Sequence, residues 1–229
     1  LGDNTTAGAN TAIGYNALRL NTTGANNVAL GFQTLDANTT GSKLTAIGYN
    51  ALTTNTTGSS NTAFGYQAAL GNTDGNTNTA IGYEALYTNT QGDRNTAVGH
   101  QALYTMNPSG NADSYNTGVG FYALFANTIG YRNTAVGGLS LDALVTGNNN
   151  TAIGYAAATS RTSGNDNVAV GAYCMNATAT GDSNTAFGKS ALHDLTSGYE
   201  NVAVGLNAGF AITTGYDNVA LGFRALDAA

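Results

Sequence analysis

Small, large and polar positions alternate along this chain on a strict beat. An apolar residue followed by glycine occurs at Ile13 and Gly14, and the glycine returns at Gly31, Gly48, Gly65, Gly82 and Gly99, each 17 residues on. One step of 21 leads to Gly120, after which Gly137, Gly154, Gly171, Gly188, Gly205 and Gly222 resume the 17-residue spacing. Thirteen copies with one interruption define a repeat protein, and the repeat decides the architecture before any single motif is weighed.

Positions are counted from this glycine. Position −1 holds Ile13, Leu30, Ile47, Phe64, Ile81, Val98, Val119, Val136, Ile153, Val170, Phe187, Val204 and Leu221. All are apolar and most are β-branched or aromatic, which suits a pleated strand. Position −3 is always Thr or Val, and position −2 is alanine in every copy but one, where Gly118 stands. Period-2 alternation therefore gives a strand with one larger face and one very small face. A face that admits only Ala and Gly lies against something close, so both faces are expected to be buried. The small face belongs in the narrow interior of a coil, and the larger one packs against other copies of the chain.

Position +1 leans aromatic: Tyr15, Phe32, Tyr49, Tyr66, Tyr83, His100, Phe121, Tyr155 and Phe223. A small residue follows at +3 and a leucine at +4, as in Ala85 and Leu86. This stretch reads as a second short strand. An Asn-Thr-Thr-Gly turn closes the unit at 21–24, 38–41 and 55–58, with residue types that tolerate positive φ. Position −4 is Asn in twelve of thirteen copies, from Asn10 to Asn218 with Leu44 as the exception, and predicts an amide ladder between coils. A helical solenoid fits poorly, given two glycines per unit, abundant Thr and Val, and few Glu, Lys, Gln and Arg. The predicted fold is all-β, a parallel β-solenoid of about 12 to 13 coils with two short strands each. It forms one repeat domain over 1–229 with an inserted loop at 104–115.

Composition narrows the function classes. Only 9% of residues are charged and the net charge is −6, which disfavours nucleic acid or an anionic membrane as partner. No apolar run reaches the roughly 18 residues of a membrane span, and no signal-like segment opens the sequence. The single cysteine, Cys174, excludes a disulfide framework. His100 and His193 lack a second ligand at metal spacing, and Cys174 sits in the small-residue column like a buried alanine. The calcium-binding Gly-Gly-x-Gly-x-Asp signature is missing, and the Gly-x-Gly at 118–120 is not followed by a phosphate-loop lysine. Asn-x-Thr triplets at Asn4, Asn21, Asn38 and Asn55 are explained by the turn consensus. No catalytic, cofactor or metal constellation emerges, so an enzyme is not expected.

Two features stand out from the repeat. The insertion carries Tyr104, Met106, Asn107, Pro108, Asp113 and Tyr115, including the only proline, and is a candidate binding loop because loops on rigid scaffolds often carry function. Thr22, Thr39, Thr56, Thr73, Thr90, Thr128 and Thr213 form a threonine column that suggests an ice-binding surface as an alternative function. The neighbouring column drifts through Asp74, Gln91, Ile129 and Thr146, whereas an ice-matched lattice needs uniformity.

The Asn-Thr-Ala-Ile-Gly phrase resembles the Ser-Val-Ala-Ile-Gly repeats of YadA-like trimeric autotransporter adhesin heads. The longer unit, Asn-Thr-Ala-Ile-Gly-Tyr-x-Ala-Leu…Asn-Thr-Thr-Gly, is similar to repeats of phage-type tail fibres that precede an intramolecular chaperone. The resemblance covers the whole chain and is specific for architecture rather than for function. It implies a left-handed homotrimeric β-roll, extracellular, at the surface of a cell or virion. The −1 residues Ile13, Leu30, Ile47, Phe64, Ile81, Val98, Val136, Ile153, Phe187 and Leu221 would form the trimer contact. The implied partners are two further copies of the chain and a cell-surface receptor or glycan, with no nucleic acid and no membrane insertion in this segment. The adhesin-head unit is shorter than 17 residues, and no chaperone, stalk or anchor sequence is present, so the chain is expected to be a piece of a longer fibre.

Overall fold

A computed structural model describes residues 2–110 and 112–227, which fall into two compact units, Leu1–Tyr115 and Asn116–Ala229. The boundary coincides with the end of the insertion. The first unit holds β1 (Thr11–Ile13), β2 (Val28–Leu30), β3 (Thr45–Ile47), β4 (Thr62–Phe64), β5 (Thr79–Ile81) and β6 (Thr96–Val98). The second holds β7 (Thr117–Val119), β8 (Thr134–Val136), β9 (Thr151–Ile153), β10 (Val168–Val170), β11 (Thr185–Phe187), β12 (Val202–Val204) and β13 (Val219–Leu221). Within each unit every strand pairs in parallel with the next, in register at 17 residues, as in Ala63 with Ala80 and Ala152 with Ala169. Each unit is thus a parallel β-solenoid, and no helix occurs among the described residues.

The strands are three residues long because the alternation lasts only that far. The −2 alanines point inward and are buried in every coil after the first. The larger residues at −3 and −1 stay half-buried or exposed within the single chain. Interior volume is correspondingly small. It is filled by the −2 and +3 small residues, one leucine or its substitute at +4, and asparagines at −4 and +7.

The expected second strand does not form. Positions +2 and +4 adopt left-handed backbone instead, with φ between 48° and 58° at residues as varied as Asn50, Leu52, Glu84, Leu86 and Met175. Alternate right- and left-handed residues coil the segment into a turn that sends two adjacent side chains inward, those at +3 and +4, as at Ala85 and Leu86. Leucine in this region costs on the order of 1 kcal/mol. Burial holds it there: Leu86 is fully buried and its N–H donates to Ala102 O at 2.9 Å in the next coil. Each coil therefore contains one strand and a long hydrogen-bonded turn.

Polar side chains run between the coils in four columns. At −4, Asn78 N–H donates to Asn61 Oδ1 at 2.8 Å, Asn78 Nδ2 donates to Gly92 O at 2.8 Å, and Asn95 N–H donates to Asn78 Oδ1 at 2.9 Å. Leu44 receives the column's geometry but not its chemistry: its N–H donates to Asn27 Oδ1, and its side chain passes no bond onward. At +7, Asn38, Asn55 and Asn72 each donate from Nδ2 to the Oδ1 of the asparagine one coil back at 2.8–2.9 Å, and to the carbonyl of their own turn glycine at 3.0 Å. At +8 the threonine hydroxyls donate to carbonyls of the following coil, Thr39 to Thr56 O at 3.0 Å. At +11, backbone N–H groups donate to Ser42, Ser59, Asn76 and Asp93 side chains one coil ahead. These columns explain a sequence rich in Asn, Thr and Gly with few charges, because buried backbone groups must find partners.

Candidate interaction surface

The described residues at both ends of the insertion are tied to the coil stack. Met106 is fully buried, and Pro108 is buried beside Gly92, where an added Cβ would lie 3.0 Å from the proline Cγ. Asn107 is exposed and accepts from the Thr90 hydroxyl at 2.6 Å, which prolongs the +8 column. Tyr104 stacks on Tyr87 with ring centroids 5.0 Å apart. Arg94 binds the insertion to the preceding coil by pairing with Asp113 and lying 5.4 Å over the Tyr115 ring, while the Tyr115 hydroxyl donates to Asp113 at 3.3 Å. Of the six loop residues singled out in the sequence, Asp113 and Tyr115 meet around one arginine, and Met106 and Pro108 serve packing.

The candidate contact column at −1 lies on the outside in both units. Ile13 is 59% exposed, Phe64 54% and Leu221 66%, and Leu30, Ile81, Val136, Ile153 and Phe187 are also exposed. Ile47 and Val98 are half-buried. Among the described residues of each unit, none buries this stripe.

At +1 the first unit carries six rings in register. Tyr15, Phe32, Tyr49, Tyr66, Tyr83 and His100 stack with centroids 4.9–5.3 Å apart and interplanar angles of 5–17°. The separation is that of neighbouring strands, ~4.8 Å, slightly widened by tilt. His100 is thus one rung of an aromatic column. His193 likewise stacks on Phe210 at 4.7 Å and contacts Asp194 at 2.6 Å. Among the described residues no group of three His, Cys, Asp or Glu could hold a metal ion.

Three sequence candidates find structural partners inside the coil. Cys174 is fully buried with Sγ 3.4 Å from Ala186 O, and burial pushes its thiol up to about 12. Thr22, Thr39, Thr56, Thr73, Thr90 and Thr128 spend their hydroxyl donors on the coil stack. The sequon asparagines Asn21, Asn38 and Asn55 are fully buried with Nδ2 hydrogen-bonded, so the atom a glycan would take is closed off.

Sequence reading missed Arg161, which stands at the +7 position of the asparagine column. Its side chain is fully buried, Nη2 donates to Gly181 O, and Nε and Nη1 find no partner. Burial lowers its pKa to about 10, offset in part by Asp182. The only signal was a charged residue where every other complete coil carries an uncharged one, Asn, Leu, Met, Thr or Ile.

Comparison with protein-family models, with curated proteins and with solved structures finds no match for this chain.

Proposed function

We propose that the chain is a segment of a homotrimeric, left-handed surface fibre of a cell or virion, serving to extend or present a receptor-binding tip. The observation that carries this reading is the exposed −1 column. It repeats an apolar residue at every coil of both units, whereas a soluble monomer rarely exposes contiguous apolar patches beyond a few hundred Å². Three copies facing one another along these stripes remove them from water, and a β face with a minimal interior gains its main apolar burial that way. The motif resemblance points to the same number of chains and to an extracellular setting.

Light scattering after size exclusion tests the reading. The expected mass is near three times 23.1 kDa. Ile81→Lys combined with Ile153→Lys lowers the mass while the far-ultraviolet circular dichroism persists. A wild-type monomer at low micromolar concentration would sink the proposal. Ice binding is the less favoured alternative, because the +8 hydroxyls from Thr22 to Thr128 already donate within the chain. No thermal hysteresis is expected at micromolar concentration.

A further inference from the structure

The two units solve the same folding problem with different outer columns. In the second unit, position +1 is Phe121, Gly138, Tyr155, Ala172, Lys189, Leu206 and Phe223, and no continuous ring stack forms; Tyr155 meets Tyr173 edge-on at 79°. These coils close without an aromatic column. The unbroken stack of the first unit is therefore not required by the fold.

Position +2 shows the same contrast. The first unit places Asn16, Gln33, Asn50, Gln67, Glu84 and Gln101 there, an amide or carboxylate at every coil. The second unit has Tyr122, Leu139, Ala156, Tyr173, Ser190, Asn207 and Arg224. Within the amide column, Gln101 Nε2 donates to Glu84 Oε2 at 2.6 Å, and Asn50 Oδ1 is buried without a hydrogen-bond partner. The stacked rings turn their faces to one another, so each coil offers an outward ring edge, and four of them a phenol hydroxyl.

A ligand for this surface must repeat one apolar and several hydrogen-bonding groups at the strand spacing of ~4.8 Å. An extended peptide does not match, because its side chains recur on one face at roughly 6.6 Å. Nucleic acid is repelled by the net charge of −6. The single charged side chain in the two columns is Glu84, so anionic ligands gain nothing. A β-linked pyranose chain in its extended form does match. Its sugar-to-sugar rise is close to the strand spacing, each ring has C–H edges and equatorial hydroxyls, and planar amides and phenols are the partners such hydroxyls use.

We propose that the paired +1 and +2 columns of the first unit bind an uncharged, linear β-1,4-linked polysaccharide laid along the coil stack, one sugar per coil. This deepens the adhesive side of the fibre reading without depending on the trimer: chain mass and sugar binding are measured separately, so either can fail alone.

Titration calorimetry of the whole chain with cello- and chito-oligosaccharides of two to eight sugars tests it. Affinity should rise with length and level off near six sugars, matching six coils. Tyr66→Ala and Gln67→Ala should each weaken the hexamer at least tenfold with unchanged melting, while Tyr155→Ala in the second unit should leave it unaltered. No binding to any uncharged β-1,4-linked oligomer, affinity independent of length, or equal loss from Tyr155→Ala would each overturn the proposal. Coverage of the columns by a second copy would show as the first of these outcomes.

Discussion

At the scale of single residues, three positions concentrate the physics. Gly82 has φ +135°, and a Cβ there would sit 2.4 Å from the Gly99 carbonyl oxygen. Strain and collision act together, and the neighbour is backbone, which cannot swing away. Gly82→Val is expected to cost at least about 3 kcal/mol, read as a large fall in Tm. Wild-type melting would refute the close approach. Cys174 makes the opposite point. Its raised pKa keeps the thiol protonated in the fold, so iodoacetamide at pH 8 should leave it unmodified until the chain unfolds. Stability linked to this group is intact below the ordinary thiol value of 9.0 and declines as pH rises toward about 12. Arg161 is a buried cation with two unpartnered N–H-bearing atoms. Leu144 and Leu195 occupy the same column elsewhere and are fully buried. Arg161→Leu is therefore expected to stabilise by about 1–4 kcal/mol, since desolvation of an unpaired charge exceeds what one carbonyl returns. A lowered Tm would show that the guanidinium contributes more than its isolation suggests.

At the scale of the element, the sequence was legible where one physical cause makes one pattern. The Thr/Val-Ala-Ile/Val-Gly strand was such a case: alternation, β-branching and a tight glycine all agree. The segment from +1 to +4 was not. Tyr-Glu-Ala-Leu carries strand-compatible residue types, but the turn buries its last two side chains together, Ala85 and Leu86, and nothing in the letters Leu86 or Leu52 announces positive φ. The +7 asparagines were hidden for a similar reason. Asn-Thr-Thr-Gly is a good turn consensus, so the second amide ladder had no signal beyond its repetition. That ladder makes a sharp prediction. Asn55 donates to Asn38 and Gly58 and accepts from Asn72, so Asn55→Ala leaves several buried groups unsatisfied and should cost about 3 kcal/mol. Asn55→Leu should cost less, because the second unit shows that leucine fits this position. Chemical denaturation of both variants checks the order, and a larger loss for leucine would contradict it.

At the scale of the whole molecule, stability in a repeat chain is a sum of coil and nearest-neighbour contributions. The two units differ in those contributions despite their common strand. In the first, Asn21, Asn38, Asn55, Asn72 and Asn89 link successive coils through one uninterrupted amide column. In the second, the same position holds Asn127, Leu144, Arg161, Thr178, Leu195 and Ile212, with Thr178 exposed, so amide-to-amide coupling is lost and one coil holds an unpaired charge. Apolar substitutes keep the volume filled, but they do not tie one coil's turn to the next with directional bonds. Opening should therefore begin in the second unit, around the coil that contains Arg161. Hydrogen exchange read by mass spectrometry at low denaturant is expected to show peptides spanning 144–181 exchanging well before those spanning 38–89. Arg161→Leu should narrow that gap by slowing exchange in the second unit alone. Uniform exchange across both units, or earlier exchange in the first, would show that the amide column does not set the order of opening.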